Sequence, residues 1–235
     1  MKAMILAAGR GERMRPLTDY TPKPLLKAAG KALIEYTIEN LAAAGFGEIV
    51  INIAHLGEQI KDYCGNGKRW NVSIVYSDEG ETALETAGGI AKALPLLGDK
   101  PFLVLNADIV CDYSLAGLRT KAIDLAHLVM INNPPHHPEG DFSLNASGLL
   151  SEQGSNKLTF SGIGVYHPKL FENIPVAPLK LRPVLNAAMQ LQRISGEKFS
   201  GLWMDIGTPE RLQTVGALDK HHPRETSRHS EDVAN

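Results

Sequence analysis

The chain has 235 residues, 43% of them apolar, and a net charge of −2; this excludes global disorder and suits one α/β domain with a small appendage. Near-neutrality excludes charge-driven binding of nucleic acid or of an anionic membrane, so neither is expected as a partner. No apolar run approaches the roughly 20 residues of a membrane span, the N-terminal apolar stretch is too short for a signal peptide, and Cys64 and Cys111 form no metal-type pair, so a reduced, cytoplasmic protein is expected.

Short β-rich runs alternate with helical stretches, the pattern of a parallel sheet covered by helices. In chain order the sequence predicts a strand at Lys2–Leu6, a helix at Ile34–Ala44, a strand at Glu48–Ile53 and a helix at His55–Tyr63. A strand at Val72–Tyr76, a helix at Thr86–Leu94, a strand at Phe102–Asn106, a helix at Ser114–Ala122 and a strand at Leu125–Ile131 continue the series. The rhythm then changes. A long loop, Asn132–Asp141, precedes short strands predicted near Phe142–Leu144, Lys157–Thr159 and Gly162–Tyr166. Leu179–Ile194 reads as a helix with Pro183 in its first turn, followed by a strand at Leu202–Met204 and a helix at Pro209–Leu218. Residues 221–235 are polar and rich in His and Ser, and a disordered tail is expected there.

The most informative segment follows the first strand: Leu6-Ala7-Ala8-Gly9-Arg10-Gly11-Glu12-Arg13-Met14-Arg15-Pro16-Leu17-Thr18, then Pro22-Lys23-Pro24-Leu25. Glycines let backbone N–H groups approach a phosphate, and cations beside them neutralise its charge. Gly9-x-Gly11 alone is a weak signal, because glycine pairs mark turns everywhere. Arg13, Arg15 and Lys23 in the same loop, without helical periodicity, make it a polyphosphate site. Pro22 and Pro24 flank Lys23 and bias it toward extended geometry.

Asn106-Ala107-Asp108 stands just past the carboxyl end of the fourth predicted strand, where open α/β sheets bind ligands. A turn or cap aspartate is the competing reading of Asp108. Asp205 lies at another strand end, and since Thr208 can cap the helix that Pro209 opens, Asp205 is spare. Two carboxylates beside a cationic phosphate loop suit Mg²⁺, which takes one or two carboxylates plus phosphate oxygens. In Leu84-Glu85-Thr86-Ala87-Gly88-Gly89, Thr86 is a candidate cap and the glycines leave room either for a flat base or for close helix–strand packing. Gly162 and Gly164 would similarly admit a sugar ring.

The phosphate-loop motif, the Asn-Ala-Asp segment and Trp203-Met204-Asp205-Ile206-Gly207-Thr208-Pro209-Glu210-Arg211-Leu212 together resemble the sugar-1-phosphate nucleotidyltransferases, over nearly the whole chain to about Leu218. The resemblance implies a Rossmann-like, mixed but mostly parallel sheet with helices on both faces and a small sugar-binding β insertion. It divides a single domain, 1–220, into a nucleotide-binding part at about 1–110 and a sugar-binding part at about 111–205. It implies in-line attack of a sugar 1-phosphate on the α-phosphorus of a nucleoside triphosphate, with Arg13 on the β/γ-phosphates, Lys23 bridging the reacting phosphates, and Asp108 and Asp205 holding Mg²⁺. Leu6, Ala8, Gly9, Gly11, Glu12 and Gly88 would complete the nucleotide site; Asn106, Asp141, Glu152 and Gly162 would meet the sugar. The partners are then the two small-molecule substrates, on a monomer or weak homo-oligomer.

Within the family, the short length and the loop from His136 to Asp141 are similar to the N-acetylmuramic acid 1-phosphate uridylyltransferases of bacterial cell-wall recycling. Guanylyl transfer to mannose 1-phosphate and thymidylyl or uridylyl transfer to glucose 1-phosphate are the alternatives. The chain departs from many relatives in having Glu85 where they have glycine, and in lacking a Glu-Lys-Pro segment that presents a sugar-binding lysine. The lactyl carboxylate of a muramic acid needs a cation, and Lys157, Lys180, Arg182 and the paired histidines are candidates that spacing does not separate. A dinucleotide-binding oxidoreductase is disfavoured, because Met14 replaces the third glycine of its fingerprint and Pro22-Lys23-Pro24 fills the region where a ribose-binding acid would stand. A silent sugar-nucleotide sensor is disfavoured because Arg13, Lys23, Asp108 and Asp205 are all present.

Overall fold

The computed structural model describes residues 1–218, so the tail expected at 221–235 and the last two residues of the expected 1–220 domain lie outside the described residues. β1 (Ala3–Leu6) leads through the glycine loop to a small hairpin, β2 (Lys27–Ala28) and β3 (Lys31–Ala32), then to α1 (Leu33–Ala43). β4 (Glu48–Ile53), α2 (Gly57–Cys64), β5 (Ser73–Asp78), α3 (Glu85–Leu97) and β6 (Phe102–Asn106) follow. The second half contains β7 (Ile109–Cys111), β8 (Ala126–Ile131), the short pair β9 (Ser143–Leu144) and β10 (Leu150–Ser151), β11 (Thr159–Tyr166) and α4 (Leu181–Gln190). β12 (Ile194–Phe199), β13 (Trp203–Asp205) and α5 (Pro209–Leu218) complete the chain as described.

Seven strands form one sheet in the order β12-β8-β11-β6-β1-β4-β5. β11 runs antiparallel to both neighbours, and the other pairs are parallel. The carboxyl ends of β1, β4, β5 and β6 therefore share one edge. β1 is apolar throughout because it is covered on both faces. Ala3 and Ile5 pack with Ile34, Ile38 and Ile60 of α1 and α2, while Met4 packs with Ile90 of α3 and Leu185 of α4 on the other face. This is the mixed, mostly parallel sheet with helices on both faces that the family resemblance implies; the alternating pattern alone implies a parallel sheet, and β11 is the antiparallel exception.

Four expectations need correction. The predicted helix at Ser114–Ala122 is a 3-10 run, Leu115–Thr120, whose buried Leu115 and Leu118 stand three apart, the period of that helix. The predicted helix at Leu179–Ile194 stops at Gln190; Gln192 has φ +56°, and Ile194 opens β12 in parallel register with β8. β12 escaped prediction because Ser195-Gly196-Glu197-Lys198 is polar, as suits an edge strand. The strands predicted at Lys157–Thr159 and Gly162–Tyr166 merge into β11, whose register shifts between Phe160 and Gly164 around Gly162 at φ +80°. β7 was not foreseen, yet it forms the ladder on which β13 lies antiparallel.

Edge strand β12 is fastened by Glu197, which accepts hydrogen bonds from Tyr113 and Lys121 and lies 3.1 Å from Nε2 of buried His127. Burial opposes its charge, but the hydrogen bonds from Lys121 and Tyr113 outweigh that and hold its pKa down to about 2 from the ordinary 4.5. A carboxyl depressed in the folded state contributes stability that is complete above its unfolded pKa and is lost as pH falls through the folded one. Glu197→Gln should therefore flatten the acid-unfolding curve between about pH 4.5 and 2, read by circular dichroism. A curve of unchanged slope in that window would contradict the arrangement.

Candidate active site

The loop after β1 is anchored at its root and open at its tip. Ala7 N–H donates to Asn52 Oδ1 (2.8 Å), Asn52 Nδ2 donates to Glu79 Oε1 (2.6 Å), and Glu79 Oε2 accepts from Leu84 N–H (2.6 Å). Asn52 and Glu79 are buried, so this relay ties the ends of β1, β4 and β5 to the start of α3. Sequence reasoning missed both residues. The available signal was Asn52 itself, a polar residue interrupting the apolar run of β4.

At the tip, Gly11 has φ +65° and starts the 3-10 turn Glu12–Met14. A Cβ there would lie 3.0 Å from both Lys23 Cβ and Thr18 Cγ2, so glycine serves the backbone angle and the close passage of Lys23 together. Thr18 Oγ1 donates to Gly11 O (2.9 Å), pinning the loop from the other side. Lys23 opens a 3-10 turn, Lys23–Leu25, instead of the extended geometry expected from its flanking prolines; Pro22 takes the extended conformation.

A cleft of about 710 Å³ lies between this loop and the ends of β4 to β6. Leu6, Ala8, Gly9, Gly11, Glu12, Arg13 and Lys23 line it from the loop, and Asn106 and Asp108 from the end of β6. Lys23 Nζ is ion-paired with Asp108 Oδ2, and both side chains are mostly buried. Asp205 faces Ile109 across the β7–β13 ladder, one residue from Asp108, and Ile206 N–H donates to Asp108 O (2.8 Å). Asp205 Oδ1 pairs with Arg211 and lies 3.2 Å from His136 Nε2. A Cβ on Gly207 would be 3.0 Å from Asp205 Oδ2, 2.8 Å from Arg211 Nη2 and 3.2 Å from Arg13 Nη2, so Arg13, Arg211 and Asp205 converge there. Arg211 was not foreseen as part of the site. Arg211 N–H lies 3.4 Å from Thr208 Oγ1, which leaves Asp205 free of capping duty.

A second hollow of about 320 Å³ adjoins the cleft and shares Leu6, Glu85, Thr86 and Asn106 with it. Asp141 and Gly162 line this hollow; Glu152 does not, lying exposed beyond β10. Asp141 is already engaged, accepting from Phe160 N–H (2.9 Å) and from Arg182 Nη2, with His137 Nε2 3.2 Å away. Gly88 lines neither space. A Cβ there would sit 2.0 Å from the Ala177 carbonyl oxygen, so Gly88 provides close packing in place of the base contact expected of it. Thr86 makes no cap bond, and α3 begins at Glu85, which holds φ +57°.

Among the described residues no cluster of three or more His, Cys, Asp or Glu could hold a metal ion. Asp108, in the turn before β7, and Asp205, in β13, supply two hard oxygen donors, and the remaining ligands would have to be phosphate oxygens and water. That set fits a divalent cation of the Mg²⁺ type and no softer metal.

Residues 2–221 match the model of the Nucleotidyl transferase family. The chain belongs to that family. It is 54% identical to the N-acetylmuramate alpha-1-phosphate uridylyltransferase of Neisseria meningitidis over 93% of this chain and 98% of that protein. The enzyme of the same description from Caulobacter vibrioides is 33% identical over 88% of this chain and 92% of its own length. A mannose-1-phosphate guanyltransferase of Schizosaccharomyces pombe is 32% identical, over 95% of this chain and 67% of its length. Among solved structures, a putative glucose-1-phosphate thymidylyltransferase from Bacillus anthracis superposes with a TM-score of 0.80 at 22% identity, covering 93% of this chain and 94% of that one. That likeness concerns the fold.

As a nucleotidyltransferase, the chain should depend on Lys23 and Asp108 for turnover. Lys23→Ala and Asp108→Asn should each lower kcat by about 100-fold or more, the scale of losing one transition-state electrostatic contact. Stopped or coupled pyrophosphate assays on variants shown folded by circular dichroism check this, and a loss under about threefold in either would remove that residue from the site.

Proposed function

We propose that this chain transfers the uridylyl group of UTP to N-acetylmuramate α-1-phosphate, giving UDP-N-acetylmuramate and pyrophosphate, in the recycling of cell-wall sugar. The observation that carries the reading is 54% identity across 98% of the N. meningitidis uridylyltransferase. The two adjoining hollows support it, one flanked by the phosphate loop and the other by the late strands. No helix among the described residues is long and apolar enough to cross a membrane. We assign the reaction to the cytoplasm, where UTP is available.

In this reading the nucleotide lies in the larger cleft and the sugar in the smaller. Lys23, on the wall of the larger cleft and paired with Asp108, would face both the attacked α-phosphate and the attacking phosphate. Arg13 faces the β- and γ-phosphates that leave as pyrophosphate. The attacking phosphate is already ionised at neutral pH, so a phosphate oxygen forms the new P–O bond while the α–β bridging oxygen departs, with no general base required. Glycines at 9 and 11 bring backbone N–H groups toward the triphosphate. Asp108 and Asp205 would hold Mg²⁺, which supplies positive charge against the repulsion of two polyanions. Positioning and fixed charge carry the catalysis, as in other phosphoryl transfers.

Pyrophosphate release in Mg²⁺, with each nucleoside triphosphate against muramic, glucosamine, mannose and glucose 1-phosphates, tests the reading. UTP with N-acetylmuramate 1-phosphate should exceed every other pair by at least about tenfold. Preference for GTP with mannose 1-phosphate, or for dTTP with glucose 1-phosphate, would overturn the substrate assignment.

A further inference from the structure

We propose that Arg182, assisted by Lys180, forms a carboxylate-binding subsite in the smaller hollow and selects a sugar phosphate that carries an acid on its ring. The inference deepens the sugar assignment above and rests on it.

The smaller hollow has an apolar wall, to which Phe142, Phe160, Tyr166 and Leu185 contribute, suited to the body of a pyranose. Its only cations among the described residues are Lys180 and Arg182. Lys157 and both histidines, the other candidates by composition, do not line it. His136 reaches Asp205, and His137 reaches Asp141 from the loop side.

Arg182 is oriented rather than consumed. Its Nη2 donates to Asp141, whose other oxygen accepts from Phe160 N–H, so the carboxylate is fixed by the backbone of β11. The guanidinium also lies over the Phe142 ring, 5.1 Å from its centroid. A guanidinium presents five N–H donors in a rigid plane. Among the described residues one nitrogen is engaged, Nη2, and Nε and Nη1 make no hydrogen bond. Lys180 lines the hollow as well, and among the described residues its Nζ has no ion-pair partner. Asp141 offsets one of the two positive charges, and Glu85 lies on the rim shared with the larger cleft. A neutral hexose is read by hydroxyl and amide groups and gains nothing specific from two cations here. The ether-linked carboxylate of N-acetylmuramate supplies the planar anion that a guanidinium fork takes by paired hydrogen bonds.

The test compares two sugars that differ only in the lactyl ether that bears the acid. With the unmodified protein, UTP and N-acetylmuramate 1-phosphate must first release pyrophosphate; no release would defeat the substrate reading itself, whatever the variants do. Given release, Arg182→Ala should raise the KM for N-acetylmuramate 1-phosphate about 10- to 100-fold, the worth of a charge-assisted pair. The inhibition constant of N-acetylglucosamine 1-phosphate, which lacks the acid, should move less than about threefold. Lys180→Ala should give a smaller loss of the same selectivity. Because removing Arg182 also strips Asp141 of its partner, the lactyl amide of the substrate is assayed on the unmodified protein, where it should show a comparable rise in KM. Equal losses for both sugars, or full affinity for the amide, would overturn the subsite.

Discussion

In the proposed reaction two polyanions meet at the carboxyl edge of the sheet, and their mutual repulsion is the constraint that the charge arrangement there answers. Charge is fixed there in compensating pairs: Lys23 with Asp108, and Arg211 with Asp205, with Arg13 drawn to the same point beside Gly207. The carboxylates come from segments far apart in sequence, Asp108 from the turn before β7 and Asp205 from β13. They become neighbours because β13 lies antiparallel on β7, so that Asp205 faces Ile109 and Ile206 bonds to the Asp108 carbonyl. Groups set in place before the substrates arrive cost no reorganisation when charge moves to the leaving pyrophosphate.

Holding such a loop rigid at its root while leaving its tip open requires a buried polar network. The relay from Ala7 through Asn52 and Glu79 to Leu84 fills that role, with each buried polar atom in it partnered. The relay reaches into α3: a Cβ on Gly89 would lie 2.4 Å from Glu79 Oε1, so that turn of the helix must be bare. Gly88, one residue earlier, is bare for the Ala177 carbonyl. The paired glycines thus serve two packing contacts on two sides of one helix.

The sequence made some of this legible and hid the rest for physical reasons. β1, β4 and β6 were readable because strands covered on both faces must be continuously apolar. The cleft-lining loop after β1 stood out for its cations among glycines and prolines, of which Arg13 and Lys23 line the cleft while Arg15 pairs instead with Asp19. β12 was hidden because half of an edge strand faces water and its polar residues imitate a loop. β7, three residues long, was too short to show a period. Asn52 acts through partners 27 and 45 residues away, Glu79 through Asn52 and Arg211 through Asp205 six residues before it, which no local pattern reports. The same holds for Arg182, which composition placed among five candidates and the fold placed in the smaller hollow.

The most direct measurement is binding of Mn²⁺, standing in for Mg²⁺, to the protein with a non-hydrolysable UTP analogue, followed by electron paramagnetic resonance. A cation site shared by Asp108, just before β7, and Asp205, which faces Ile109 across the β7–β13 ladder, requires a protein-held ion in the ternary complex that weakens about tenfold or more in both Asp108→Asn and Asp205→Asn. Unaltered ion binding in Asp205→Asn would contradict the shared carboxylate site on which the charge arrangement depends.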